Sequence, residues 1–131
     1  MTIAEFIKSA GLSMNATWTD HNPSMEDSAT MDHWRCTIRS GKSRMSLVFS
    51  MGVGHNGKQP ELADVLDCLA SDASGLHNAE GFNDWCNDYG YNTDSRRAEK
   101  TFRAIKRQSE RLQNLLGESA YQTLLWDIER L

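Results

Sequence analysis

The spacing of apolar positions changes twice along the chain. Residues 2–10 place Ile3, Phe6 and Ile7 on one face at helical spacing, and Gly11 stops that short helix. A first strand is predicted around residues 14–19 and a second over 33–39. The second runs through Ser40-Gly41-Lys42-Ser43 into a third over 44–51, the short glycine-containing connection of a β-hairpin. In that arm Met45, Leu47 and Phe49 alternate with Arg44, Ser46 and Ser50, and Val48 breaks the polarity. A period of two with one half-buried face suits a small antiparallel sheet. The polar, turn-rich residues 22–30 read as a loop.

After Gly57 the helical period returns. Pro60 is placed in the first turn of a helix that carries Leu62, Leu66, Leu69 and Ala73 on one stripe. Phe82, Trp85, Cys86 and Tyr89 predict a short helix closed by Gly90. Asp94 or Ser95 caps a long helix over 95–116 with Ala98, Phe102, Ile105, Leu112 and Leu116 inward, and Gly117 ends it. A last helix over 119–131 puts Tyr121, Leu124, Leu125 and Ile128 on one face. Strands first and helices afterwards predict an α+β fold: a small antiparallel β-sheet, with its hairpin at about 33–51, packed by a helical C-terminal half. At 131 residues the chain has the size of a single domain, 1–131.

Composition adds little to this picture. With 39% hydrophobic and 24% charged residues the chain is an ordinary globular one, not a disordered one. No stretch approaches the roughly 20 apolar residues that span a bilayer. Glu5 and the lack of a cationic start predict no signal peptide, hence a cytoplasmic protein with no membrane partner. Cys36, Cys68 and Cys86 are an odd set, expected to be reduced thiols, with Cys68 and Cys86 on or near apolar helix faces.

Charge changes the picture more. From Gln59 to Ser95 there is no lysine or arginine but eight carboxylates; seven cations then fall between Arg96 and Arg111 against Glu99 and Glu110. Segregation by block predicts two faces of opposite sign, which steer charged partners. On the long helix Arg96, Lys100, Arg103, Arg107 and Arg111 fall within about 80° of one another, opposite the apolar stripe. The stripe is a partner surface, a solvated face relieved by Glu99–Arg103 and Lys106–Glu110 pairs, or a surface laid against the chain's own acidic block.

Chemical constellations are weak by comparison. Residues 52–59, Gly-Val-Gly-His-Asn-Gly-Lys-Gln, nearly fit a phosphate-binding loop. Gln59 replaces the hydroxyl that holds magnesium, and no parallel βαβ succession is present, so a glycine-rich turn is expected and a hydrolase built on Lys58 ranks last. His33 and Cys36 have nearly zinc-like spacing, yet an odd separation on a strand sends them to opposite faces. No hydrolytic elbow, H-E-x-x-H pair or calcium loop occurs. The chain is therefore expected to be no enzyme and to need no cofactor or metal.

Two stretches carry a resemblance. One is Gly54-His55-Asn56-Gly57 through Pro60 to Asp64-Val65-Leu66-Asp67-Cys68-Leu69-Ala70-Ser71-Asp72-Ala73; the other is Phe82-x-x-Trp85-Cys86-x-x-Tyr89-Gly90-Tyr91-x-x-Asp94-Ser95-Arg96-x-Ala98. Over roughly residues 33–112 the chain resembles a group of small uncharacterised proteins of bacteriophages and prophages. The resemblance implies a phage origin and a host bacterial cytoplasm, and supplies no catalytic residues. Compact phage proteins without enzyme motifs often inhibit host defence, anti-CRISPR proteins among them.

The leading expectation is a non-enzymatic inhibitor that binds a bacterial defence complex, a CRISPR effector, through its charged surfaces. Asp64, Asp67, Asp72, Asp84 and Asp88 would then occupy a basic groove in place of DNA. The alternative is a nucleic-acid-binding accessory protein using the basic helix 95–116, with Trp34 or Trp18 stacking on bases.

Overall fold

A computed structural model describes residues 1–20, 31–52 and 58–128. The loop expected over 22–30 and most of the glycine-rich run 52–59 lie outside the described residues. Helix α1 (Ile3–Ser9) opens on a capping box in which the Thr2 side chain accepts from the Glu5 N–H and Glu5 accepts from the Thr2 N–H. The Thr2 N–H donated to the Glu5 carboxyl, with the Thr2 hydroxyl assisting, holds that carboxyl below its ordinary range.

Strands β1 (Leu12–Thr19), β2 (Met31–Ser40) and β3 (Ser43–Gly52) form one antiparallel sheet in the order β1-β2-β3. Ser40 pairs with Ser43, so β2 and β3 meet at the two-residue turn Gly41-Lys42, where Gly41 takes φ 59°. The expected hairpin is thus extended by a paired first strand.

Register sorts the side chains into two faces. On one face Ala16, Cys36 and Leu47 form a row, and Met14, Ile38 and Met45 the next. This face packs under helices α2 (Leu62–Asn78), α4 (Arg96–Leu116) and α5 (Glu118–Trp126), where Val65, Leu66, Leu112 and Leu124 complete the main core. The other face carries Arg35, Thr37 and Arg39 on β2 and Arg44, Ser46 and Val48 on β3, all exposed or half-buried.

Helix α3 (Phe82–Tyr89) and the first turns of α4 build a second, smaller core around Trp85, Cys86 and Ala98. Trp85 is only 1% exposed and stacks on Tyr91, with centroids 5.2 Å apart and planes 9° apart. The Tyr89 hydroxyl lies over Gly75 of α2, where an added Cβ would sit 1.8 Å from it, so only glycine admits this approach.

Several expectations are corrected. Pro60 precedes α2 rather than occupying its first turn, because Glu61 is the N-cap and the helix starts at Leu62. The buried face of α4 includes Ala104, Ser109 and Leu115, since α4 is wedged between α2, α5 and the β3 side of the sheet and buries a wide arc. Ser109 is tolerated there by donating to the Ile105 carbonyl at 2.8 Å. Cys68 is exposed, on the shoulder of α2 away from its apolar stripe.

Candidate functional site

The five cations of the α4 stripe face solvent. Arg96, Lys100, Arg103, Arg107 and Arg111 are exposed, and Arg103 takes its carboxylate from Glu99 one turn back on the same helix. The stripe is therefore not laid against the chain's own acidic block. Successive members four residues apart advance about 6 Å along the axis.

Packing extends this stripe with cations from the sheet. A groove of about 370 Å³ between α4 and the open face of the sheet is lined by Arg35, Ser46, Val48, Arg107, Gln108 and Arg111. A second of about 590 Å³ adjoins it, sharing Ser46 and Arg111 and adding Arg44 and Asn114. Among the described residues neither groove has a carboxylate in its lining. A shallow recess along Arg96, Glu99, Lys100 and Arg103 shares Arg107 with the first groove, so the basic track is continuous from the start of α4 to the hairpin.

The sheet contributes one further anomaly. Arg39 and Arg44 are direct cross-strand partners on the solvent face. Like charges directly opposite destabilise a strand pair. Rules of local consistency are broken mainly where function demands it. The rows beside them, Asn15–Thr37–Ser46 and Thr17–Arg35–Val48, bring hydroxyls, an amide and another guanidinium but no acid. Arg35, Arg39 and Arg44 lie outside the charge blocks of the sequence. The signal was available, because 35, 37 and 39 share parity and hence one face of a strand.

The five acidic residues differ in exposure. Asp64, Asp67 and Asp88 are exposed. Asp84 is half-buried and accepts from the Glu80 N–H at 2.9 Å, which ties the chain just before α3 to its first turn. Asp72 is half-buried in a recess between α2, α3, α4 and β3, where burial pushes its carboxyl up to about 6. Two of the five expected contact acids are thus withdrawn from the surface by packing.

The tryptophans divide as well. Trp34 is 6% exposed in the main core and unavailable for base stacking, because its strand parity points it inward. Trp18 on the edge strand β1 is 63% exposed.

Nucleophilic chemistry finds no support in the described thiols. Burial pushes Cys36 up to about 11 and raises Cys86. Burial of the Cys68 sulfur, helped by Asp72 and then Asp67, pushes that thiol to about 11 although the residue has an exposed edge. None is a thiolate at neutral pH. His33 and Cys36 point to opposite faces; the His33 imidazole is buried and meets the Ser50 hydroxyl at 2.6 Å. Among the described residues no group of three or more His, Cys, Asp or Glu is placed to hold a metal, and no helix is long and apolar enough to cross a membrane.

No family model, no curated protein and no solved structure matches this chain.

Proposed function

We propose that this protein binds nucleic acid along the basic track formed by α4 and the hairpin. The observation that carries the reading is the pair of acid-free grooves in which Arg107 and Arg111 of α4 stand beside Arg35 and Arg44 of the sheet. Cations from distant parts of the sequence converge there in spite of a net charge of −4. Unneutralised convergence of this kind is what a phosphate backbone requires, since each phosphate contacted releases condensed counterions. Binding would also relieve the repulsion between Arg39 and Arg44. Exposed Trp18 offers a flat surface for an unstacked base.

Fluorescence anisotropy with labelled single-stranded and duplex DNA tests the reading. The wild type is expected to bind with Kd in the roughly 1–100 μM range at physiological salt, weakening linearly with log salt. Arg44→Glu with Arg111→Glu should abolish binding. The melting temperature should barely move, because exposed substitutions shift stability by only about 0.5 kcal/mol. Wild-type protein that fails to bind either strand form at about 100 μM in low salt ends the proposal.

A second reading rests on exposed Asp64, Asp67 and Asp88, which leave an acidic surface on α2 and α3. Such a surface fits the basic groove of a protein partner, as in an inhibitor of a CRISPR effector. Co-purification with candidate effector complexes addresses it, and loss of the complex on Asp64→Lys with Asp67→Lys is the expected result. Absence of any complex with the wild type removes this reading.

A further inference from the structure

The recess that holds Asp72 is a cavity of about 390 Å³, within the range of small-ligand sites. Its walls come from four elements: β3, α2, α3 with the turn after it, and α4. Leu69, Ile105 and the rings of Trp85 and Tyr91 make it largely apolar. Two charges interrupt that lining. Asp72 enters from α2 and Arg97 from the first turn of α4. Among the described residues no ion pair joins Asp72 to Arg97, and burial raises the Asp72 carboxyl. Thr101 and Gln108 add neutral polar groups on the α4 wall.

An anion alone would meet Asp72, and a cation alone would meet Arg97. A ligand carrying both charges satisfies both walls. We propose that this cavity binds a free amino acid with an apolar or aromatic side chain, its ammonium on Asp72, its carboxylate on Arg97 and its side chain against the Leu69, Ile105 and Tyr91 wall. Charge-assisted hydrogen bonds in a partly dry cavity are the strong ones, and an apolar body fixes the orientation. The site is independent of nucleic-acid binding, so either proposal can fail without the other.

Isothermal titration of the full chain with each of the twenty protein amino acids, up to about 10 mM, tests the proposal. Saturable binding is expected for apolar or aromatic members, with Asp72→Asn and Arg97→Gln each weakening it by about tenfold or more. Phenethylamine, which lacks the carboxylate, should bind more weakly than phenylalanine and be indifferent to Arg97→Gln. 3-Phenylpropionate, which lacks the ammonium, should be indifferent to Asp72→Asn. Circular dichroism melts of both variants establish that they are folded. No saturable binding by any of the twenty overturns the proposal, as does binding that neither substitution weakens.

Discussion

Truncating Trp85 to alanine is expected to destabilise the protein by about 3–5 kcal/mol, the largest effect of any single change proposed for this chain. Trp85 is the principal large side chain of the second core, whose other fully buried members are Cys86 and Ala98. Phe82 and Phe102 pack on it with centroids 6.4 and 5.2 Å away, and Tyr89 and Tyr91 with centroids 5.4 and 5.2 Å away. Truncation would remove the ring on which all four pack, and the other fully buried members, alanine and cysteine, are too small to fill the space. The main core around Ile38, Leu66 and Leu112 is a separate cluster. The loss should therefore fall first on α3 and the start of α4, appearing as lost near-ultraviolet ellipticity ahead of the far-ultraviolet transition. Urea unfolding of the variant measures it. A shift below about 1 kcal/mol would show that the second cluster is not a packing unit.

Asp72→Asn is expected to stabilise the protein at pH 7.5 by about 1–2 kcal/mol, with no gain at pH 4. Folded Asp72 keeps its proton to about pH 6, whereas its ordinary value is 3.8. Between those values the folded state binds the extra proton, so this group's contribution lowers stability as pH rises through the window and stays level above it. The full linkage is about 1.36 kcal/mol per pKa unit, or about 3 kcal/mol, and water reaching the half-buried carboxylate reduces it. Asparagine keeps the shape and carries no charge, so the difference between the two proteins isolates this one titration. The other titratable groups around the cavity are Cys68, Tyr89 and Tyr91, and Arg97 is the cation on its far wall. For a domain of this size the gain corresponds to several degrees in Tm. Melting curves from pH 4 to 8 check it, and a destabilised Asp72→Asn at pH 7.5 would show that Arg97 or another donor does hold the carboxylate.

Local information determined much of this protein. Period two in β3, the 3.6-residue period after residue 60, Asp94 or Ser95 as the cap of α4, and Gly90 and Gly117 as terminators were legible, and the elements lie where they point. The solvent-facing stripe on α4 was legible for the same reason: angular position around a helix axis depends only on residue number. What lies beyond one element's axis was not. Whether Asp72 or Asp64 faced water depended on where α3 and α4 pack against the shoulder of α2. Trp18 and Trp34 have the same chemistry and are cross-strand partners, yet Trp34 on the central strand is covered and Trp18 near the end of the edge strand is left exposed. Arg44 and Arg111 are far apart in the chain, and no periodicity links them. They share a groove because the apolar faces of α4 and the sheet pack on a common core, which leaves their polar margins side by side.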